Sequence, residues 1–239
     1  MQVEVSGGIH KNLIPVLVEK ANYESGLDEI NVFSMYAFAT QIKYKQYIVG
    51  VSPSDNTVFK QQASIDTRVT DALNDGLQAF DTSIENFAQV KYYLDKLFYD
   101  ITEQGTLNYT YQNSYLISSA LLGKIMNISR ATIHRYKELG LESITGIGHN
   151  SYPKHNEFYW KDGVWASKIQ ALYQSFKIRN QSKEELIREI KRELDSYEKQ
   201  YGGTFEKVFK NVKDPYELDE PDDFYNWRDL LEDLKSLNE

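Results

Sequence analysis

Arg130, His134 and Arg135 fall on one face of a short helical pattern, with Ala131 beside them. A guanidinium forks onto a guanine edge or a phosphate, and an imidazole gives or takes one hydrogen bond. A small residue lets a helix approach its target closely. These side chains suit recognition of base edges and phosphates rather than the making or breaking of bonds.

The elements that must position them lie in residues 118–141, SSALLGKIMNISRATIHRYKELGL. Leu122 and Met126 share one face of a first helix. A side chain at Gly123 would push the crossing helix away. Asn127 suits a left-handed turn, Ile128 plugs that turn into the core, and Ser129 is a good N-cap. Ile133 and Tyr136 then face inward, which leaves Arg130, Ala131, His134, Arg135 and Glu138 outward. Gly140 ends the second helix.

A β-rich stretch (143–147), a polar loop (148–156, GHNSYPKHN) and a strand (157–161, EFYWK) are expected next. Helix, turn, helix and hairpin follow in the order of a winged helix. Residues 84–161 resemble the winged-helix branch of the helix-turn-helix superfamily, and "ISRATIHRY" resembles the recognition helix of bacterial, phage and plasmid regulators. The resemblance implies double-stranded DNA as partner. Arg130, His134 and Arg135 would reach base edges, with Ala131 on the same surface. Lys124, Ser129, Thr132 and Lys137 would touch phosphates, and Lys154 and His155 would form a wing tip.

Charge follows the same division. The chain carries a net charge of −8. Residues 120–179 hold nine Lys/Arg against four Asp/Glu, whereas 1–119 hold eight against fourteen and 180–239 ten against seventeen. The basic segment is the one that contains the motif, as a groove-binding element requires.

Other chemistries fare worse. There is no cysteine, which excludes disulfides, thiolate metal sites and thiol catalysis. His149 and His155 could join Glu157 or Asp162 around a metal, but they read more simply as polar loop residues. Tyr197 and Tyr201 share a helix face without the histidine cluster a strand-nicking nuclease needs. No phosphate-binding glycine loop, dinucleotide fingerprint or nucleophile elbow occurs. The expectation is a non-enzymatic protein without metal or cofactor. It has no membrane span and no signal-peptide pattern at its start, so a cytoplasmic setting is expected.

The fold class expected is mainly α with small β elements, an α+β chain in three parts. Residues 1–81 form an N-terminal α+β domain, 82–179 the winged helix, and 180–239 a helical, acidic C-terminal region. Within the first part, 2–6 suggest a strand, 11–21 a short helix or buried strand, 28–42 a helix, 44–51 a strand and 66–80 a helix. The stretch 65–80 aligns with 128–144 with one gap, which suggests a second winged-helix-like unit with Asp66, Asp71 and Asp75 where phosphates would lie. A helix over 82–101 starts with a Thr82/Glu85 capping box and carries a stripe of Ile84, Phe87, Val90, Leu94, Leu97 and Ile101. Residues 105–115 are β-prone, and 165–176 read as a helix with Ile169, Leu172, Tyr173 and Phe176 on one side. A helix over 182–201 starts with a Ser182/Glu185 box and carries Leu186, Ile190, Leu194 and Tyr197, a candidate homodimer stripe. The acidic end from Asp214, with Phe224, Trp227 and Leu230, reads as a docked terminal helix or as a segment for a protein partner.

The function expected is sequence-specific binding of double-stranded DNA, in transcriptional regulation or in replication initiation or partition of a mobile element. The alternative is a non-catalytic protein-interaction factor that uses a winged helix as scaffold.

Overall fold

In the computed structural model of the chain, residues 29–144, 151–212 and 214–238, with Pro15, are described. The strand expected over 2–6 lies outside the described residues, as does all of 11–21 except Pro15. The chain is mainly helical with small antiparallel sheets, and it divides into two units at Asn180.

In the larger unit, helix α1 (Glu29–Lys43) leads through a tight turn into strand β1 (Ile48–Pro53). Residues 44–47, expected as strand, form that turn, because the Tyr47 and Ile48 amides both return to the Tyr44 carbonyl. Strand β2 (Val58–Phe59), helix α2 (Thr67–Gln78) and helix α3 (Ile84–Ile101) follow. Strands β3 (Thr102–Gln104) and β4 (Leu107–Tyr111) pair with β2 and β1.

Helix α3 lies at the centre because its apolar stripe runs the length of the helix. Phe87, Val90, Leu94, Leu97 and Ile101 are buried, and Phe98 and Ala88 widen the buried face. Each of the larger side chains contributes about 1.5–3 kcal/mol of burial. The helix starts one residue later than the Thr82/Glu85 pattern implies. Ser83 is the N-cap and accepts from the Asn86 amide, while the Thr82 carbonyl accepts from the Tyr47 hydroxyl at 2.8 Å. Lys43 is buried and donates to the carbonyls of Gly76, Leu77 and Ala79, which closes the C-terminus of α2. That burial lowers its pKa to about 8. Helix α2 is preceded by β2 and not by a helix and tight turn. The internal repeat therefore stops at two amphipathic helices.

After β4 come a 3₁₀ turn (Asn113–Tyr115), strand β5 (Leu116–Ser118), helix α4 (Ser119–Met126) and helix α5 (Arg130–Glu138). Strand β6 (Ser151–Pro153) pairs antiparallel with β5, and Ile144 makes a single bridge to Ser151. Residues 145–150, which include His149, lie outside the described residues. The strand expected over 157–161 is instead helix α6 (Asn156–Lys161). Phe158, Tyr159 and Trp160 are β-prone by type, but Tyr159 turns inward to the Ala88 carbonyl and Lys161 pairs with Glu157 one turn away. Helix α7 (Gly163–Asn180) completes the unit, and Arg179 at its end donates to the carbonyls of Tyr99, Thr102 and Gly105.

The smaller unit holds helix α8 (Lys183–Tyr201), the short helix α9 (Phe205–Val208) and helix α10 (Pro221–Asn238). The Ser182/Glu185 capping box is formed at both of its hydrogen bonds, and Gly202 ends α8 in the left-handed region. Ile190 and Leu194 of α8 are buried with Trp227 of α10, and Tyr197 stacks on Trp227 at 5.3 Å. The stripe expected to hold a second copy is thus occupied by α10. Phe224, Trp227, Leu230 and Leu234 of the acidic end are used in the same packing. Among the described residues no helix is long and apolar enough to cross a membrane.

Candidate nucleic-acid interface

The pairing of α4 with α5 follows from local chemistry. Ser118 caps α4 by accepting from the Leu121 amide, and Ser129 caps α5 by accepting from the Thr132 amide at 3.1 Å. Asn127 between them sits at φ 54°, ψ 45°, the left-handed conformation that Asn adopts at helix ends. The Ile128 amide returns to the Gly123 carbonyl at 2.9 Å. A Cβ on Gly123 would lie 2.9 Å from the Ile128 carbonyl oxygen and 3.4 Å from Ile133, so only glycine lets the turn fold back this closely. Leu122, Met126, Ile133 and Leu141 form a core with Ile117 of β5 and Tyr152 of β6.

With Ile133 turned inward, Arg130, Ala131, His134, Arg135 and Glu138 are exposed. Lys124 and Ser129 are exposed beside them, while Thr132 and Lys137 are half-buried. Thr132 shares a 2.9 Å hydroxyl contact with Ser129 and so belongs to the cap. A shallow groove of about 530 Å³ brings Lys124, Ser129 and Arg130 together along the turn. Among the described residues no carboxylate pairs with Lys124, Arg130 or Arg135, and His134 stands 3.8 Å from Glu138. The face therefore presents Lys124, Arg130 and Arg135 without a neutralising carboxylate among the described residues.

Lys154 and His155 are not at a wing tip. Lys154 is half-buried at the end of β6, and its amide donates to the Tyr115 carbonyl at 3.2 Å. His155 is fully buried and has both ring nitrogens engaged, Nδ1 with the Tyr115 hydroxyl at 3.2 Å and Nε2 with Glu142 at 3.0 Å. It cannot touch DNA, and its ring is not available to a metal. The chain turns after Pro153 into α6.

His155 belongs to a buried polar network that sequence reasoning missed. Glu142, two residues beyond Gly140, accepts from Lys91 of α3 at 3.2 Å, from His155, and from the Tyr111 hydroxyl of β4 at 2.7 Å. Lys91 also pairs with Asp95 at 2.9 Å and lies 4.2 Å from the Tyr109 ring centroid, while the Tyr109 hydroxyl donates to Asp95. Asn156 closes the network by bonding both the amide and the carbonyl of Glu142. Although burial alone would raise its pKa, the Lys91 charge with the His155 and Tyr111 bonds holds Glu142 well below the carboxylate range. At Asp95 burial wins and the carboxyl is pushed up, while burial keeps His155 neutral by lowering its pKa. The exit of α5 is thereby tied to α3, β4 and α6. A further contact, the stack of Tyr136 on Trp160 at 4.5 Å, ties the body of α5 to α6.

No protein-family model matches the chain, and no curated protein or solved structure matches it either. The geometry alone must carry the functional reading.

Proposed function

We propose that the chain is a non-catalytic, cytoplasmic protein that binds double-stranded DNA sequence-specifically, through a winged helix built from β5, α4, α5 and β6. The observation that carries this reading is the exposed face of α5, on which Arg130 and Arg135 are without a carboxylate partner among the described residues and His134 lies between them, on a helix whose other face is packed. Support comes from strand order. The β5–β6 pair and the Ile144–Ser151 bridge agree with the strand order that the winged-helix reading calls for. In the proposed complex α5 enters the major groove, Arg130 and Arg135 reach base edges, and Lys124, Ser129 and Lys137 meet the flanking phosphates. His134 and Ala131 contact the bases between them. Such a protein serves in transcriptional regulation, or in replication or partition of a mobile element.

The test is selection of bound fragments from random duplex DNA across a salt series. Enrichment of one motif, with a steep salt dependence, is expected. Arg130→Ala and Arg135→Ala should each cost about 1–3 kcal/mol of specific binding. Absence of retention at low salt would overturn the proposal in favour of a protein-binding scaffold.

A further inference from the structure

Phe80 stands wholly in solvent, 105% exposed, in the short connection between α2 and α3. The backbone that carries it is pinned on both sides. The Ala79 carbonyl accepts from Lys43 at 2.8 Å, the Asp81 carbonyl from Asn86 at 2.6 Å, and the Thr82 carbonyl from Tyr47 and Gln46. The Asp81 carboxylate accepts from the amide and the hydroxyl of Ser83. A large aromatic side chain on a fixed stem loses little freedom when it is covered, which is the condition of an interface anchor.

A receptor of matching character adjoins it. A hollow of about 270 Å³ opens between α1 and β1, and Phe38, Ile42 and Val49 form its apolar part. Phe38 and Val49 are 52% and 51% exposed. The rim is fixed by Gln41, which donates to the Val49 carbonyl at 2.6 Å, and by Gln112, which donates to the Lys45 carbonyl at 3.0 Å. The hollow is therefore formed before anything enters it. Lys45 lines the hollow, and Gln46, the next residue, donates to the Thr82 carbonyl beside the anchor. Anchor and hollow thus flank one short turn of the larger unit.

We propose that Phe80 of one copy enters the hollow of a second copy, and that the reciprocal insertion closes a two-fold dimer. The adjacency favours this occupant. A two-fold axis over Gln46, between the two features, brings each anchor to the other copy's hollow in one step. The charges select the same occupant. Asp81 follows Phe80, Lys45 lines the hollow, both are exposed, and among the described residues neither makes a salt bridge. Insertion of Phe80 carries Asp81 towards Lys45 of the other copy, so opposite charges meet at both ends of the contact. An unrelated protein would need a ring and a carboxylate in this arrangement, and the chain itself supplies both side by side. The pairing is independent of what α5 binds.

Sedimentation of the full chain should show a monomer–dimer equilibrium in the micromolar range, as a small contact allows. Phe80→Ser, at a fully exposed site, and Phe38→Glu, at an exposed helical site, should each leave the circular dichroism spectrum unchanged and weaken self-association at least about tenfold. The first variant keeps both hollows and lacks the anchors, while the second keeps the anchors and spoils the hollows. Mixing the two should restore association through the single intact pair, at an affinity between that of either variant alone and that of the unaltered chain. A chain that stays monomeric at about 100 μM overturns the proposal. So does a dimer that survives both substitutions, or a mixture that associates no better than its components.

Discussion

Replacing Lys91 by Met would remove the one cation placed between two buried carboxylates. Lys91 stands 2.9 Å from Asp95 and 3.2 Å from Glu142, and the three side chains keep only 10%, 16% and 27% of their exposure. Breaking a buried pair by deleting one partner costs about 3–5 kcal/mol, chiefly because the remaining charge has no compensation. Two carboxylates are left here, Glu142 with His155 and Tyr111 as donors and Asp95 with the Tyr109 hydroxyl alone, so we expect a loss of about 4 kcal/mol. With a urea dependence of about 2 kcal/mol per molar, the unfolding midpoint should fall by about 2 M at pH 7.5. The loss should shrink as pH falls towards 5. Without the lysine both carboxylates titrate higher in the folded state than in the unfolded state, so protonation stabilises the variant. The triple variant Lys91→Met/Asp95→Asn/Glu142→Gln carries no buried charge at these sites and should recover part of the loss. Urea unfolding followed by circular dichroism measures each term. A loss below about 1 kcal/mol, or a triple variant less stable than Lys91→Met alone, would refute the argument that uncompensated charge is the dominant cost.

Three further outcomes follow from individual contacts. Gly123→Ala should destabilise by about 1–3 kcal/mol in thermal or urea unfolding, because its Cβ meets the Ile128 carbonyl at 2.9 Å and backbone must move; an unchanged midpoint would mean the turn has slack. Trp160→Phe should be neutral or stabilising by up to about 1 kcal/mol, since it keeps a ring on Tyr136 and removes a buried indole N–H that has no partner among the described residues; a large loss would point to an acceptor for that N–H. Between pH 7.5 and 6 the stability of the unaltered chain should decline, because burial lowers the folded pKa of His155 below its usual 6.5 and the unfolded chain takes up the proton first. His155→Gln should flatten that slope, and an unaltered slope would assign it to another group. The raised carboxyl of Asp95 acts with the opposite sign, in the carboxylate range below.

What was legible in the sequence was local. Ser129 as cap, Asn127 as left-handed turn and Gly123 as close approach are each specified by neighbours within a few residues, and the structure has all three. The stripe of α3 was readable for the same reason, through periodicity over five turns. The buried network was not, because Lys91, Glu142 and His155 look like ordinary surface residues until strand pairing and the turn after α5 bring them together. A weak signal existed: His155 and Asn156 come two and three residues after Pro153, where the chain must turn, and both are buried. Residues 157–161 misled because a short run of aromatic residues satisfies strand propensity and helical packing equally well.

The cationic face of α5 has an evolutionary consequence. Arg130, Ala131, His134 and Arg135 take no part in the capping, the turn or the core, which rest on Ser129, Asn127 and Ile133. The exit of the helix is fixed by Glu142, which is not on that face. Architecture and outward chemistry are therefore written in separate letters of the same nine-residue helix. Mutation can drift across positions 130, 131, 134 and 135 while the scaffold persists, so the outward chemistry of the helix can change one substitution at a time without passing through unfolded intermediates. A library randomised at those four codons would draw its diversity from a population in which most members still fold.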